Sequence, residues 1–261
     1  PAFSPGSGPM GARPADLVAA LAPCVGPHPT DMFSLPAPPA PWTTDDAAPP
    51  ERVLWAPDWG FEVDPVVRAT TTAAVEALAA AGTAVIEIDT VLADDPVFPW
   101  FTMWTVSMWR MHEDRWGTPD WERITPGLAD QMRFARDHVS AADYARALDA
   151  AHAANLELAE LFSRAPILLC PTTAGRPPAP GGVGTIDGRE DLNWVRFTFP
   201  FNLTRHPAGT VCAGVGADGL PVGLQVVGPQ HGDAEVLTTM AALEVVLGPP
   251  PIAPRVDTPR E

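Results

Sequence analysis

A chain of 261 residues, 46% of them hydrophobic, is long enough to bury a full core and too apolar for wholesale disorder. Its formal net charge of −16, with no basic stripe along the sequence, argues against nucleic acid and anionic membrane as partners, since both need clustered cations. All 16 residues in the Lys+Arg total are arginines, so the chain contains no lysine.

Residues 1–50 read as mostly irregular and Pro-rich, with one helical stretch from Ala15 to Cys24 and an extended surface crossing from Leu35 to Pro50. The pattern changes at Arg52. Val53 to Ala56 predicts a short strand, and Asp64-Pro65 is a helix start with a capping carboxylate and a first-turn proline. Val66 to Ala81 is Ala-rich helix stopped by Gly82, and Val85 to Ile88 is a second strand. Strand, helix and strand joined by short loops form a βαβ unit, which implies parallel pairing.

The stretch Trp100 to Trp116 is Trp-rich and helical in period, with Trp100, Trp104 and Met108 on one face and Phe101 and Met111 beside them. Ser140 to Arg164 predicts a long amphipathic helix with Ser140 as cap and Asp143 completing an imperfect capping box. Pro166 to Pro171 reads as a buried strand running into Thr172-Thr173, and Arg176 to Arg189 as Gly/Pro-rich loop. Pro207 to Val215 and Val222 to Val227 predict two strands of a hairpin around Gly216 to Gly219, residues that tolerate positive φ. Gly209, Gly214 and Gly223 leave little bulk there, which suits close approach of a backbone or ligand, or simply bulges and tight packing.

A helix from Asp233 to Leu247 follows, then a tail from Gly248 with a disordered composition. The expected fold is α/β, a mixed β-sheet flanked by helices on both faces, organised as a Pro-rich stretch over 1–50, an α/β unit over 51–247 and a tail over 248–261.

Other chemistry finds little support. Cys24, Cys170 and Cys212 are odd in number and far apart, so they form neither a disulfide framework nor a metal knuckle. The six histidines show no metal-ligand spacing, and Gly181 to Gly184 lacks the companions of a phosphate or dinucleotide loop. No G-x-S-x-G elbow is present, and Ser7 lies in a frayed start. Without a signal pattern or an apolar run of spanning length, the expected compartment is the cytoplasm.

Three separated stretches carry a resemblance: FSPGSGPMGARPADL at the start, LLCPTT after the long helix, and PFNLTRHPAG through GLPVGLQVVG. In wording, order and spacing they resemble the amidase signature hydrolases, and they match the C-terminal half of a family member. The resemblance implies a small-molecule amide substrate, carbon–nitrogen bond hydrolysis through an acyl-enzyme, and no metal or organic cofactor. In that family a lysine and two serines perform the chemistry, upstream of the GPM stretch. The resemblance therefore implies that residues 1–50 are a remnant of the signature core and that this chain has no catalytic residue of its own.

The same resemblance places substrate contacts at Trp104, Phe199, Asn202 and Arg205. For Trp104 the alternative is a core-facing aromatic stripe, and for Arg205 a solvent-facing arginine, in a position where the family has glycine. Two readings follow for the whole: an amidase whose machinery lies elsewhere, or a non-catalytic pseudoenzyme. The second would act as an interaction subunit, in a homodimer or with a chain carrying the N-terminal half.

Overall fold

The computed structural model describes residues 8–45 and 47–249. The predicted tail from residue 250 onward, and Ser7, lie outside the described residues. The first helix, α1 (Pro14–Leu21), runs into a 3-10 turn at Ala22–Cys24, and Arg13 just before it pairs with Glu244. Residues 35–45 and 47–50 form no helix or strand, in keeping with an extended crossing.

The βαβ unit forms as the sequence dictates: β1 (Arg52–Trp55), α2 (Pro65–Ala80) and β2 (Ala84–Glu87), with β1 and β2 parallel. Asp64 accepts from the Val66 backbone N–H at 3.0 Å, capping α2, and Gly82 leaves the helix at a φ of 107°. Next come α3 (Val97–His112), α4 (Pro126–His138) and α5 (Ala141–Phe162), which carry the chain to β3 (Leu168–Pro171), parallel to β1 on its other side. The Ser140/Asp143 capping box is complete, each side chain bonding the other's backbone N–H.

The 176–189 segment is more ordered than a loop. It holds a small hairpin, β4 (Thr185–Ile186) and β5 (Arg189–Glu190), turned by Asp187 and Gly188 at φ 49° and 73°. Two consecutive positive φ values are what a tight hairpin turn requires, and Asp-Gly supplies them. Helix α6 (Phe199–Thr204) then leads to β6 (Ala208–Val215), β7 (Pro221–Val227) and α7 (Asp233–Leu247). The opening of the 199–228 run is thus a short helix, an element not assigned from the sequence.

The five long strands form one mixed sheet in the order β2-β1-β3-β7-β6, antiparallel from β3 to β6. Its two faces follow the strands' period of two. Val53, Trp55, Leu169, Leu224 and Val226 pack on α2 and α7, whereas Leu54, Leu168, Cys170 and Val227 pack on α5 and the segment around Phe197. Each fully buried leucine here contributes about 1.5–3 kcal/mol. Gly209 lies directly against Met240 of α7, and a Cβ on Gly223 would come within 2.7 Å of the Thr172 hydroxyl. Close packing therefore accounts for both glycines.

Candidate functional site

The site is built around α6, a six-residue helix too short to hold itself together. Three polar ties hold it instead. Thr204 donates from its hydroxyl to the Pro200 carbonyl at 3.0 Å, and Gln230 Nε2 donates to the Thr204 carbonyl at 2.6 Å. At the entry, Gln225 Nε2 donates to the Phe197 carbonyl at 2.8 Å and to Cys170 Sγ at 3.3 Å, all within the core. The two ends of the third stretch, PFNLTRHPAG and GLPVGLQVVG, are therefore one physical unit. A glutamine in a strand is tying down the backbone that leads into α6.

Along α6, Phe199 is buried and Asn202 half-buried. Phe199 stacks on Trp100 of α3 with ring centroids 4.8 Å apart, and Trp100 stacks in turn on Trp104 at 6.0 Å. Trp104 donates its indole N–H to Gln131 of α4 at 3.1 Å, while the buried Trp100 indole N–H has no partner among the described residues. On the other side of α6, Trp59 meets Phe197 and Phe201 at 5.0 and 5.6 Å. Asn202 is thus flanked by aromatic packing from α3 and from the loop after β1.

The sequence-predicted residues divide accordingly. Phe199 and Asn202 share α6, and Trp104 reaches them only through Trp100. Arg205 stands apart: it is exposed, with its guanidinium 5.9 Å from the Phe33 ring centroid. It also ends α6 in the left-handed region, at φ 60° and ψ 29°. Glycine is the residue that adopts this conformation at least cost, which explains physically why the family has glycine in this position. The sequence places Trp100 with Trp104 on one helical face but not among the site residues, and Gln225 lies within a quoted motif with nothing to single it out from its neighbours.

The titratable groups beside this unit are structural in character. Burial pushes the Cys170 thiol up to about 12, which keeps it protonated and unreactive at neutral pH. Burial pushes the His206 imidazole down to about 4, against the opposing effect of a hydrogen bond to the Thr204 backbone. His206 also bonds the Thr204 hydroxyl at 3.0 Å and stacks on Phe162. After β3, Thr172 and Thr210 share a hydroxyl contact of 3.2 Å over Gly223. Among the described residues, no group of three His, Cys, Asp or Glu side chains converges as a metal site.

Comparison with known proteins adds identity to this geometry. The family model described as Amidase matches residues 6–237. An acylamidase of Rhodococcus erythropolis is 31% identical over 206 residues, covering 75% of this chain and 42% of the relative. A 2-amino-5-chloromuconic acid deaminase of Comamonas testosteroni is 28% identical over 191 residues, covering 72% and 41%. Among solved structures, a bacterial aryl acylamidase of the amidase signature family superposes with a TM-score of 0.78 at 22% identity, over 94% of this chain and 55% of its own. A 6-aminohexanoate cyclic dimer hydrolase gives 0.75 at 22% identity, over 90% and 53%. The chain spans about two fifths to a little over half the length of these relatives.

Proposed function

The chain belongs to the Amidase family, and from that membership we propose that it forms the substrate-facing part of a hydrolase of carboxamide carbon–nitrogen bonds. The observation that carries this reading is the bond from Gln225 to the Phe197 carbonyl, which ties the two ends of the third family-like stretch into a single mount for Phe199 and Asn202. In this reading those two residues contact a small-molecule amide, with Trp104 behind them through Trp100 and Arg205 at the end of α6. Two relatives named as acylamidases support an amide as the substrate class. The reaction takes no metal or organic cofactor and takes place in the cytoplasm.

Nucleophile activation comes from outside these residues. In the amidase signature family the base that takes the serine proton is a desolvated, neutral lysine. None of the 261 residues is lysine, and arginine stays protonated in proteins. The 261-residue chain by itself therefore forms no acyl-enzyme. Incubation with a serine-directed fluorophosphonate probe and with an aryl amide tests this, with neither labelling nor hydrolysis expected. Stoichiometric labelling would overturn the reading.

A specific feature of the sheet favours a second role, as an interaction subunit. Strand β6 is the sheet's edge, eight residues long, and its sequence AGTVCAGV carries no charge and no proline. Edges of this kind invite strand addition unless something covers them. A segment carrying the remainder of the family domain is the partner this reading names. Mixing the chain with the portion of the Rhodococcus acylamidase that it does not match should give a soluble complex; no association at all would count against it.

A further inference from the structure

Helix α5 has two apolar stripes, and the fold uses one. Its inner stripe, Ala147, Ala151, Ala154, Leu158 and Leu161, is buried against the core. Its outer stripe, Ala145, Leu148, His152, Leu156 and Ala159, is exposed throughout, with Leu148 at 40% and Leu156 at 60%. These five positions follow spacings of three, four, four and three residues, so they form one continuous line on the helix. The line is also symmetric about His152. Reversed, it reads the same: alanine, leucine, histidine, leucine, alanine.

We propose that this outer stripe is a self-association surface, on which α5 of a second copy of the chain docks antiparallel about a two-fold axis at His152. Under that axis, Ala145 of each copy faces Ala159 of the other, Leu148 faces Leu156, and the two His152 side chains meet. This is the self-complementarity that an isologous contact demands. The alanines at both ends let the helix axes approach closely, so that the leucines interdigitate.

The charges on the flank agree. Arg146 and Glu160 lie on the same side of the stripe, and the axis brings Arg146 opposite position 158, two residues from Glu160 of the second copy, or about 3 Å along the helix. The Arg146 side chain is 69% exposed and free to turn from its neighbour Asp143 toward that carboxylate. The pair occurs twice by symmetry. Asp149 and its symmetry mate stand six residues apart along the axis, about 9 Å, so their repulsion is largely screened at physiological salt.

A 22-residue helix is about 33 Å long, and one helix pair of that length buries less than the roughly 1,200 Å² of a standard stable interface. The dimer is therefore weak and reversible. With a net charge of −16 on each copy, it needs salt to form. The surface is independent of the hydrolase reading, since α5's outer face bears none of the residues assigned to substrate.

Sedimentation velocity at roughly 5 to 500 µM protein in physiological salt tests the proposal. A monomer–dimer equilibrium that stops at two copies is expected. Leu156→Glu should weaken it by about tenfold or more while leaving the thermal transition unchanged, because the side chain is solvent-facing. Arg146→Glu should weaken it too, and Arg146→Glu with Glu160→Arg should restore it. In a Cys24→Ser, Cys212→Ser background, His152→Cys should give a covalent dimer on mild oxidation. Ala153→Cys, about 100° around the helix, should give little. A protein that stays monomeric throughout, an association indifferent to Leu156→Glu, or equal crosslinking at positions 152 and 153 would each overturn the proposal. Open-ended association that survives Leu156→Glu would indict the β6 edge instead.

Discussion

Gln225, in the middle of a strand, holds the carbonyl of Phe197, 28 residues earlier, at 2.8 Å inside the core. The bond replaces what the loop before α6 lacks, since among the described residues no ladder or helix partner satisfies that carbonyl. Gln225→Leu leaves it buried and unpaired, at a cost of about 1–3 kcal/mol. Urea unfolding should show this loss, together with easier proteolysis between Leu192 and Phe199 than in the parent. Parent-like stability in Gln225→Leu would mean that the carbonyl finds another donor and that α6 is not held through this strand.

Arg205 sets two effects against each other. Its left-handed backbone costs on the order of 1–2 kcal/mol for a residue with a side chain, whereas its contact with Phe33, at 5.9 Å and in solvent, contributes about 0.5 kcal/mol. The strain is the larger, so Arg205→Gly should stabilise the fold by about 0.3 kcal/mol after the extra freedom glycine gains when unfolded. Arg205→Ala keeps the strain and loses the contact, so it should be slightly destabilising. Denaturation midpoints of the two variants decide the matter: both lying below the parent would show that the guanidinium contact outweighs the backbone.

How much of this was legible in the sequence depended on the range over which each element is stabilised. Helix α2 was readable because Asp64, Pro65 and Gly82 act locally, and α5 because Ser140 and Asp143 do. The β6–β7 hairpin was readable for the same reason, its turn glycines lying between two aliphatic runs. Helix α4 was not predicted. It buries only Ala129, Met132 and Ala135, between charged residues, and rests on the aromatic face of α3. Helix α6 was missed because six residues carry no periodicity, and its ties come from Gln225 and Gln230, far along the chain. Asp187-Gly188 was a usable hairpin signal, hidden by the glycines and prolines around it. Phe199 and Asn202 entered the candidate site through the motif that contains them. The dependence of that motif on Gln225 is a tertiary fact with no local trace.

His206 gives the fold a defined acid sensitivity. Its folded imidazole titrates at about 4, pushed down chiefly by burial, whereas an unfolded histidine titrates near 6.5. Between those values the unfolded chain binds a proton that the folded one refuses, so stability rises with pH across this window and is lost as pH falls through it. With allowance for partial solvation, the loss from pH 7 to pH 4 is about 2 kcal/mol. His206→Gln should flatten this part of the stability–pH curve. The carboxyl of Asp143, held down to about 2 by its bonds to Ser140, acts only below the window. A variant with the parent's full slope between pH 6.5 and 4 would exclude His206 as the source.

Trp104 joins two parts of the molecule, stacking on Trp100 on one side and donating to Gln131 on the other. Both contacts pack α3, so Trp104→Ala should lower stability by about 3 kcal/mol, the lower end of the range for deleting a buried aromatic, since this ring is only half-buried. Trp104→Phe keeps a smaller ring against Trp100 and removes the donor, for a loss nearer 1 kcal/mol. The ratio between the two variants is informative. Stacking on Trp100 is what links Trp104 to Phe199, so a large gap between them locates its contribution in the ring, on the side of α3 that faces Phe199. Near-equal losses would place it in the Gln131 bond to α4 and remove Trp104 from the wall around Asn202. An unchanged melting temperature in Trp104→Ala would show that the ring is free of the packing and available to a ligand.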